Sequence, residues 1–257
     1  MWTRKKIKTE AKILIKYHYW WMVLVSLIIL FAAGSSSGSL GGGYSAGSNS
    51  GNSYGSTDYS STDIVLFITV ICIILMVALL ISAIAFAFRA FLLNPLYVGC
   101  LRYILNTRQG NRNFADIIFA FSNCYMNVVK IMFLRDVKLF LWTLLFIIPG
   151  IVKHYEYQMI PYILSENPAI DSTRAFDLTK TMTYGDKWNI FVLALSFLPW
   201  EILSACTCLI VGVFWVNPYV NVTMAELYIE LREKAFRCNG VLPGELCGYT
   251  YNGIYKY

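Results

Sequence analysis

The sequence predicts an all-α fold, a polytopic transmembrane helical bundle with four spans, one broken helix or hairpin, and amphipathic helices on the cytoplasmic side. The first observation behind this prediction is composition. Of the 257 residues, 57% are hydrophobic and 14% are charged, whereas soluble domains are about 45–50% apolar and about 25% charged. The second is that apolar residues form continuous runs, of which Ile64–Phe88 holds no charged residue and is long enough to cross a bilayer.

The third observation is that basic residues cluster beside these apolar runs. The net charge of +6 therefore does not indicate nucleic-acid binding. We interpret the basic residues as orientation signals and as contacts to anionic lipids. Because the runs are continuous and do not alternate with polar residues, they exclude a β-barrel.

The N-terminal segment Thr3–His18 predicts a basic amphipathic helix that lies on the membrane surface, with Thr3 as its N-cap. Four residues of one face recur at helical spacing, and lysines lie around the other face. The four residues are Ile7, Ala11, Leu14 and His18. The first span follows as Tyr17–Ala33 and opens with aromatic residues, which favour the membrane–water interface. A cleaved signal peptide is the alternative interpretation of this region.

The segment 34–63 predicts a flexible extracellular loop, because 8 of its 30 residues are Gly and 11 are Ser. It contains no Lys or Arg, whereas six basic residues precede the first span. The positive-inside rule therefore puts the N-terminus in the cytoplasm and this loop outside. Ile64–Phe88 then returns to the cytoplasm as the second span.

Two further amphipathic helices are predicted on the cytoplasmic side. The first is Asn113–Val137, with Asn113 as N-cap and Asp116 in the first turn, where the helix dipole favours an acid. The second is Asp171–Tyr184, with Asp171 as N-cap and Gly185 as the residue that stops the helix.

The segment Leu139–Leu164 is apolar but is interrupted at Pro149-Gly150, which breaks a helix. One interpretation is a single kinked span, which puts Ser165–Lys187 outside. The other is a short helical hairpin, which keeps that stretch inside. The stretch carries three basic residues, so the hairpin is favoured.

Two last spans, Trp188–Ala205 and Cys206–Leu231, are joined by a tight turn. The C-terminal tail 232–257 is basic, which favours a cytoplasmic C-terminus and an even number of crossings. Residues 1–257 are therefore expected to form one integral membrane domain.

A weak internal repeat places Asn-Pro after two apolar runs, at Asn94-Pro95 and at Asn217-Pro218. An Asn side chain caps free N–H groups, and Pro fits the first helical turn because it has no N–H. Each Asn-Pro is therefore expected to restart a helix after a kink.

The sequence contains no recognisable catalytic set, cofactor motif or metal-ligand spacing, so no enzyme, cofactor or metal site is predicted. His154 and Glu156 are interpreted as an interfacial polar turn. Glu201 and Glu226 lie within predicted spans, where an acid is a functional candidate. Glu201 is the stronger candidate for cation binding near Asn217 and the helix breaks. The candidate positions are Glu201, Asn217, Pro218, Asn94, Pro95, Pro149 and Gly150.

The stretch from Leu139 to Leu231 resembles the bacterial integral membrane proteins grouped as domain of unknown function 975. The resemblance rests on pieces whose order and spacing agree. These are Leu141-Trp142, Pro149-Gly150-Ile151-Val152-Lys153, Tyr155, Tyr157, Pro161-Tyr162-Ile163-Leu164, Asn167-Pro168, Asp186-Lys187-Trp188 and Pro218-Tyr219. It implies a multi-spanning plasma-membrane protein and implies no reaction.

The function expected from these patterns is that of a non-enzymatic membrane protein that binds membrane lipids or other membrane proteins. The alternative is a small transporter or channel-like permease that uses the broken helices. The oligomeric state is not specified by any of these patterns.

Overall fold

The computed structural model describes residues 3–33, 61–206, 211–238, 240–242 and 244–246, and every regular element in these residues is helical. The α-helices in chain order are α1 (Arg4–Ala33), α2 (Ser61–Phe88), α3 (Asn94–Arg108), α4 (Phe119–Ser122), α5 (Tyr125–Leu145), α6 (Ile147–Tyr157), α7 (Ile160–Glu166), α8 (Ser172–Thr183), α9 (Lys187–Leu195), α10 (Leu198–Cys206) and α11 (Asn217–Arg237). The all-α prediction is confirmed. Most of the predicted Gly/Ser loop, and the tail from residue 247, lie outside the described residues.

Three helical stretches of the described chain are long and apolar enough to cross a membrane: Arg4–Leu30, Val65–Arg108 and Lys187–Cys206. A fourth is counted if Phe114–Ser122 and Tyr125–Leu145, bent by 87°, form one broken span. The predicted span Cys206–Leu231 is not among them, and its residues 207–210 lie outside the described part of the chain. Its second half is α11, which carries charged side chains that pack inside the protein.

Helix α1 joins the predicted surface helix and the first span into one element, with non-helical backbone only at His18. Thr3 caps its start as predicted, because its hydroxyl accepts a hydrogen bond of 3.4 Å from the Lys6 N–H. Ile7 and Ala11 are buried against the rest of the protein, where α1 packs along α11 and α3. The expectation that this apolar face rests on the membrane surface is therefore wrong, because other helices of the chain cover it.

The predicted helix Asn113–Val137 is interrupted. A 3₁₀ turn at Phe114–Ile118 leads into α4, and the chain then bends sharply before α5. Cys124 lies at the bend in the left-handed backbone region, with φ of 48°. The predicted cap is confirmed, since the Asn113 side chain accepts a hydrogen bond from the Ala115 N–H. The helix beginning at Ser172 confirms the other cap: Asp171 accepts bonds from two N–H groups of its first turn.

The segment Leu139–Leu164 forms a helical hairpin. The chain reverses at Phe146, whose backbone is extended, and α6 packs back against α5. A Cβ atom at Gly150 would lie only 2.9 Å from the Thr143 Cα atom, so glycine is needed for this close approach. The hairpin interpretation is confirmed, but the break lies three residues before Pro149. That proline sits in the first turn of α6, where its missing N–H removes no helical bond.

The surface divides into two parts. Large exposed hydrophobic side chains concentrate in what we call the apolar zone, residues 17–27, 65–92, 140–146, 151–152, 188–203 and 214–215. The polar zone comprises residues 4–14, 98–108, 160–183 and 222–238, and its packed interior contains buried charged and polar side chains.

The predicted stop at Gly185 follows α8 with φ of +79°, which favours glycine.

Candidate functional site

A π-helical turn precedes each of the two Asn-Pro pairs. The turns are Arg89–Leu93 and Gly212–Val216. The Asn94 N–H donates to the Arg89 carbonyl and the Asn217 N–H donates to the Gly212 carbonyl, each five residues back. Proline has no N–H and its ring clashes with the carbonyl four residues earlier. The wider π turn relieves that clash while the helix continues.

In both copies a tyrosine hydroxyl donates a hydrogen bond to the backbone carbonyl four residues before the proline. In a regular α-helix that carbonyl would accept from the N–H four residues later, which proline lacks. Tyr125 donates to the Phe91 carbonyl at 2.7 Å, and Tyr19 donates to the Phe214 carbonyl at 3.1 Å. Each of these phenylalanines lies four residues before its proline. The weak sequence repeat is therefore a structural repeat of a Phe-x-x-Asn-Pro element with a tyrosine clasp.

The predicted capping role of the two asparagines is wrong. Asn94 has helical backbone angles, φ of −64° and ψ of −47°, and no side chain caps α3. The Asn94 side chain is buried and donates to Asp136 Oδ2 at 3.2 Å. The helix is continuous through the π turn, so there is no free helix start for the side chain to cap.

Glu201 lies in the first turn of α10 and is half-buried. The element that carries it does pack on the second π turn, because a Cβ atom at Gly212 would lie 2.0 Å from the Ser204 hydroxyl oxygen. Within the described residues, no hydrogen bond joins Glu201 to Asn217. Glu201 and Asn217 therefore lie on elements that pack together, but no hydrogen bond joins the two residues.

No described group of His, Cys, Asp and Glu side chains could hold a metal ion.

The charged groups that the fold does bring together lie in the polar zone. Arg108 of α3 contacts Glu226 of α11 at 2.9 Å and Glu10 of α1 at 3.7 Å, and the Arg108 and Glu226 side chains are almost fully buried. Glu226 was identified from the sequence as an acid at membrane depth, but the partner that neutralises it was not. This ion pair ties α1, α3 and α11 together.

A second buried pair joins α7 to α11. Glu166 Oε1 lies 2.9 Å from Arg232 Nε and accepts a hydrogen bond of 2.7 Å from the Tyr228 hydroxyl. Burial raises the pKa of Glu166 to about 7, although Arg232 and Tyr228 act in the opposite direction. Arg232 also donates to the Leu246 carbonyl at 3.0 Å, which holds residues 244–246 against the bundle. Sequence reasoning missed this pair.

A third group centres on Asp116 in the 3₁₀ turn. Its carboxylate lies 3.6 Å from Arg102 Nε and accepts a hydrogen bond of 2.6 Å from the Asn106 side chain. Arg102 also donates to the Ser165 carbonyl at the end of α7. In each of the three groups an arginine of one helix is paired with a carboxylate of another element, so the arrangement is suited to fixing helix positions.

A fourth cluster lies where the polar zone meets the apolar zone. The buried Glu156 carboxylate of α6 accepts hydrogen bonds from Lys153, at 2.8 Å, and from Lys187 at the start of α9. The carboxylate is 3% exposed, whereas the lysines are 26% and 34% exposed. Of the predicted polar turn, Glu156 thus belongs to an ion cluster that joins two elements, whereas the His154 ring packs against Tyr155.

One of the comparisons with known proteins finds a match, which is to a family. Residues 111–235 match the model of a family described as protein of unknown function (DUF975). No curated protein and no solved structure matches the chain. The matched residues include the α5–α6 hairpin, the Glu156 cluster, Glu166, Glu226 and the second Asn-Pro element. Over residues 111–235, just under half of its length, the chain is similar to the DUF975 family.

Proposed function

We propose that the protein is a non-enzymatic, multi-pass protein of the cell membrane that binds membrane lipids or other membrane proteins. The observation that carries the proposal is the surface of α2. Every described side chain from Val65 to Phe88 is exposed, and the large hydrophobic ones are between 40% and 71% exposed. The Phe86 ring packs against Phe133 of α5 at 5.9 Å, and the rest of this surface is left uncovered by the described helices.

The energetics of α2 support a lipid or protein neighbour. Removing one large aliphatic or aromatic side chain from water stabilises a protein by roughly 1.5–3 kcal/mol. A helix that leaves more than a dozen such side chains uncovered is therefore strongly unfavourable in water. Lipid acyl chains, or an apolar helix of another protein, would supply the missing contacts.

We infer the orientation of the protein in the membrane from its basic residues and from one ion pair. Six basic residues precede the first span, which favours a cytoplasmic N-terminus. Lys6 near the start of α1 pairs with Glu230 of α11, so the start of the chain and the end of α11 lie at the same end of the bundle. We propose that this end faces the cytoplasm.

A small transporter is the second candidate, and the two π turns favour it because transporters place interrupted helices at their binding sites. In such sites the unwound carbonyls coordinate the transported ion. Here the Phe91 and Phe214 carbonyls accept hydrogen bonds from tyrosines, so an ion bound at either turn would have to displace the tyrosine hydroxyl there. Flux into liposomes tests this candidate, and unchanged flux in Glu201→Gln removes Glu201 from it.

Site-specific photo-crosslinking tests the main proposal. A small diazirine amino acid replaces Leu75 in the middle of α2, and in a matched variant it replaces the fully buried Leu178 of α8. In native membranes the probe at position 75 should form adducts with phospholipid, seen as a small mass increase, or with another protein, seen as a larger band. The probe at position 178 should react only within the chain.

The two outcomes at position 75 separate the two kinds of neighbour. Adducts confined to the chain itself at position 75 would contradict the proposal, because α2 would then be covered by its own protein.

A further inference from the structure

Three lysines from three elements lie where the exposed apolar surface gives way to the polar zone. Lys138 of α5 is followed by the exposed Phe140 and Leu141. Lys153 of α6 follows exposed apolar residues at positions 151 and 152, and Lys187 precedes Trp188, which is 71% exposed. In a membrane this boundary corresponds to the depth of the lipid headgroups, where tryptophan is also enriched.

A chain of contacts through two aromatic rings and one carboxylate links the three lysines. The Lys138 Nζ atom lies 3.5 Å from the centre of the Phe176 ring, and that ring packs edge-on against Tyr157 at 5.1 Å. The Lys153 Nζ atom lies 5.5 Å from the Tyr157 ring centre. Lys153 and Lys187 share the buried Glu156. Cation–aromatic contacts of this kind orient an ammonium group without neutralising it.

The three lysines and the acid between them carry a net positive charge. The other nearby acids are engaged elsewhere, because Asp136 contacts Arg135 at 2.9 Å and Asp186 contacts Lys234 at 2.6 Å. Glu156 is then one negative charge against three lysines. A lysine ammonium has three N–H donors, so Lys153 and Lys187 each retain donors beyond the one directed at Glu156.

We propose that Lys138, Lys153 and Lys187 form a binding site for the phosphate of an anionic phospholipid headgroup. The proposal deepens the lipid-binding function stated above and rests on it. The phosphate would supply the negative charge that the cluster lacks, and the acyl chains would lie along the exposed apolar surface beside Phe140, Leu141 and Trp188. A free phosphate shares the headgroup chemistry but would gain nothing from that surface.

The test compares lipids with full-length protein in a neutral detergent. Phosphatidylglycerol, phosphatidylcholine and inorganic phosphate are each titrated, with the melting temperature and bound lipid in native mass spectrometry as readouts. Phosphatidylglycerol should stabilise the wild type, whereas phosphatidylcholine and inorganic phosphate should not. An equal shift with inorganic phosphate, or with phosphatidylcholine, would overturn the proposal.

Two variants locate the site. Lys138→Gln does not touch Glu156, and the triple variant Glu156→Gln, Lys153→Gln, Lys187→Gln avoids leaving a buried carboxylate unpaired. Each changes the net charge by −1, as does the control Lys180→Gln on the exposed face of α8. Both site variants should bind phosphatidylglycerol roughly fivefold or more weakly, the effect of about one lysine near an anionic surface, and the control should bind normally.

Wild-type affinity in both site variants, or an equal loss in the Lys180 control, would overturn the proposal. Crosslinking of lipid at Leu75 is independent of these lysines. A failure of headgroup selectivity with intact lipid crosslinks would therefore refute this site alone, and loss of the Leu75 crosslinks would refute the broader function.

Discussion

At the scale of single residues, the buried Glu166–Arg232 pair is the contact whose disruption should matter most. Both side chains are at least 94% buried and the carboxylate also accepts the Tyr228 hydroxyl. Removing one partner of such a pair leaves an uncompensated buried charge, whereas replacing both can be close to neutral. The pair therefore specifies how α7 meets α11.

Replacing Arg232 with methionine should lower the free energy of unfolding by about 3–5 kcal/mol at pH 8. The double variant Glu166→Leu, Arg232→Met should recover most of that loss, because no buried charge remains. Thermal unfolding in detergent, followed by tryptophan fluorescence, measures both. If the double variant were no more stable than Arg232→Met, the buried charge would not be the cause.

The raised pKa of Glu166 predicts a pH dependence of stability. Its ordinary value is 4.5 and its value in the folded protein is about 7, so the folded state binds this proton more tightly than the unfolded state. This contribution to stability is complete below pH 4.5 and is lost as the pH rises towards 7. Melting temperatures measured from pH 4.5 to 8 should fall less steeply in Glu166→Gln than in the wild type. Identical slopes would contradict the assignment.

At the scale of elements, the two Phe-x-x-Asn-Pro turns show how a proline is kept inside a long helix. The π turn makes room for the ring, and a tyrosine from a different helix binds the freed carbonyl. Such a carbonyl, if left unsatisfied away from water, would be costly. The clasp also fastens α5 to the first turn and α1 to the second.

Tyr125→Phe should destabilise the protein by about 0.5–1.5 kcal/mol, the net value of one hydrogen bond. In a Pro95→Ala background the same change should matter less, because alanine restores an N–H near the Phe91 carbonyl. Thermal unfolding of the four proteins in a double-mutant cycle measures the coupling. Tyr184→Phe, at a residue that is 75% exposed, is the control. Additive effects of the two substitutions would argue against the clasp.

A second element-level prediction concerns Gly99 in α3. A Cβ atom there would lie 1.9 Å from the Ile117 carbonyl oxygen. Gly99→Ala should therefore destabilise by about 1–3 kcal/mol through overpacking, although glycine-to-alanine changes at compatible positions usually stabilise by about 0.4–1 kcal/mol. The free energy of unfolding of Gly99→Ala, measured beside that of Ser82→Ala on the exposed α2, shows whether the substitution stabilises or destabilises the protein. A stabilised Gly99→Ala would show that α3 and the 3₁₀ turn are not in close contact.

At the scale of the whole molecule, the polar zone gathers the start of α1, α8 and the end of α11 at one end of the bundle. Lys6 contacts Glu230, and Arg174 of α8 contacts Glu245 at 2.6 Å. The α5–α6 hairpin is what returns the chain to this end. A single kinked span would have carried Ser165–Lys187 to the opposite side.

Cysteine labelling tests this arrangement. In a variant that lacks the other cysteines, the exposed Cys238 and an introduced Thr3→Cys should react with an impermeant maleimide from the same side of sealed vesicles. A cysteine at Ser48, in the predicted outer loop, should react from the other side. Labelling of Thr3→Cys and Cys238 from opposite sides would show an odd number of crossings between them.

Several predictions that depend on local chemistry were confirmed, although the capping role expected of Asn94 and Asn217 was wrong. Thr3, Asn113 and Asp171 cap helices, and Gly185 ends one, because a cap needs only the N–H groups two or three residues away. The hairpin was predicted from the distribution of basic residues. Its reversal at Phe146 was not, because phenylalanine is no helix breaker and its extended backbone is imposed by α6 packing on α5.

The candidate site was predicted only in part. Each Asn-Pro pair was expected to restart a helix after a kink, whereas the helix continues through a π turn that precedes the pair. The tyrosines that bind the freed carbonyls come from distant segments. The ion pairs were missed for the same reason, since Glu166 and Tyr228 are 62 residues apart. Nothing in either local sequence specifies its partner.

The sequence by itself determined that the chain is helical, that Ile64–Phe88 is apolar enough to span, and where several helices begin. These properties follow from side-chain hydrophobicity and from hydrogen bonds between near neighbours along the chain. Only the tertiary structure decided that the amphipathic face of α1 is covered by α11 and α3, that the charges of α11 are buried in pairs, and that α2 is left uncovered. Whether an apolar or charged face is buried depends on which distant helices pack against it, and that depends on how the whole chain folds.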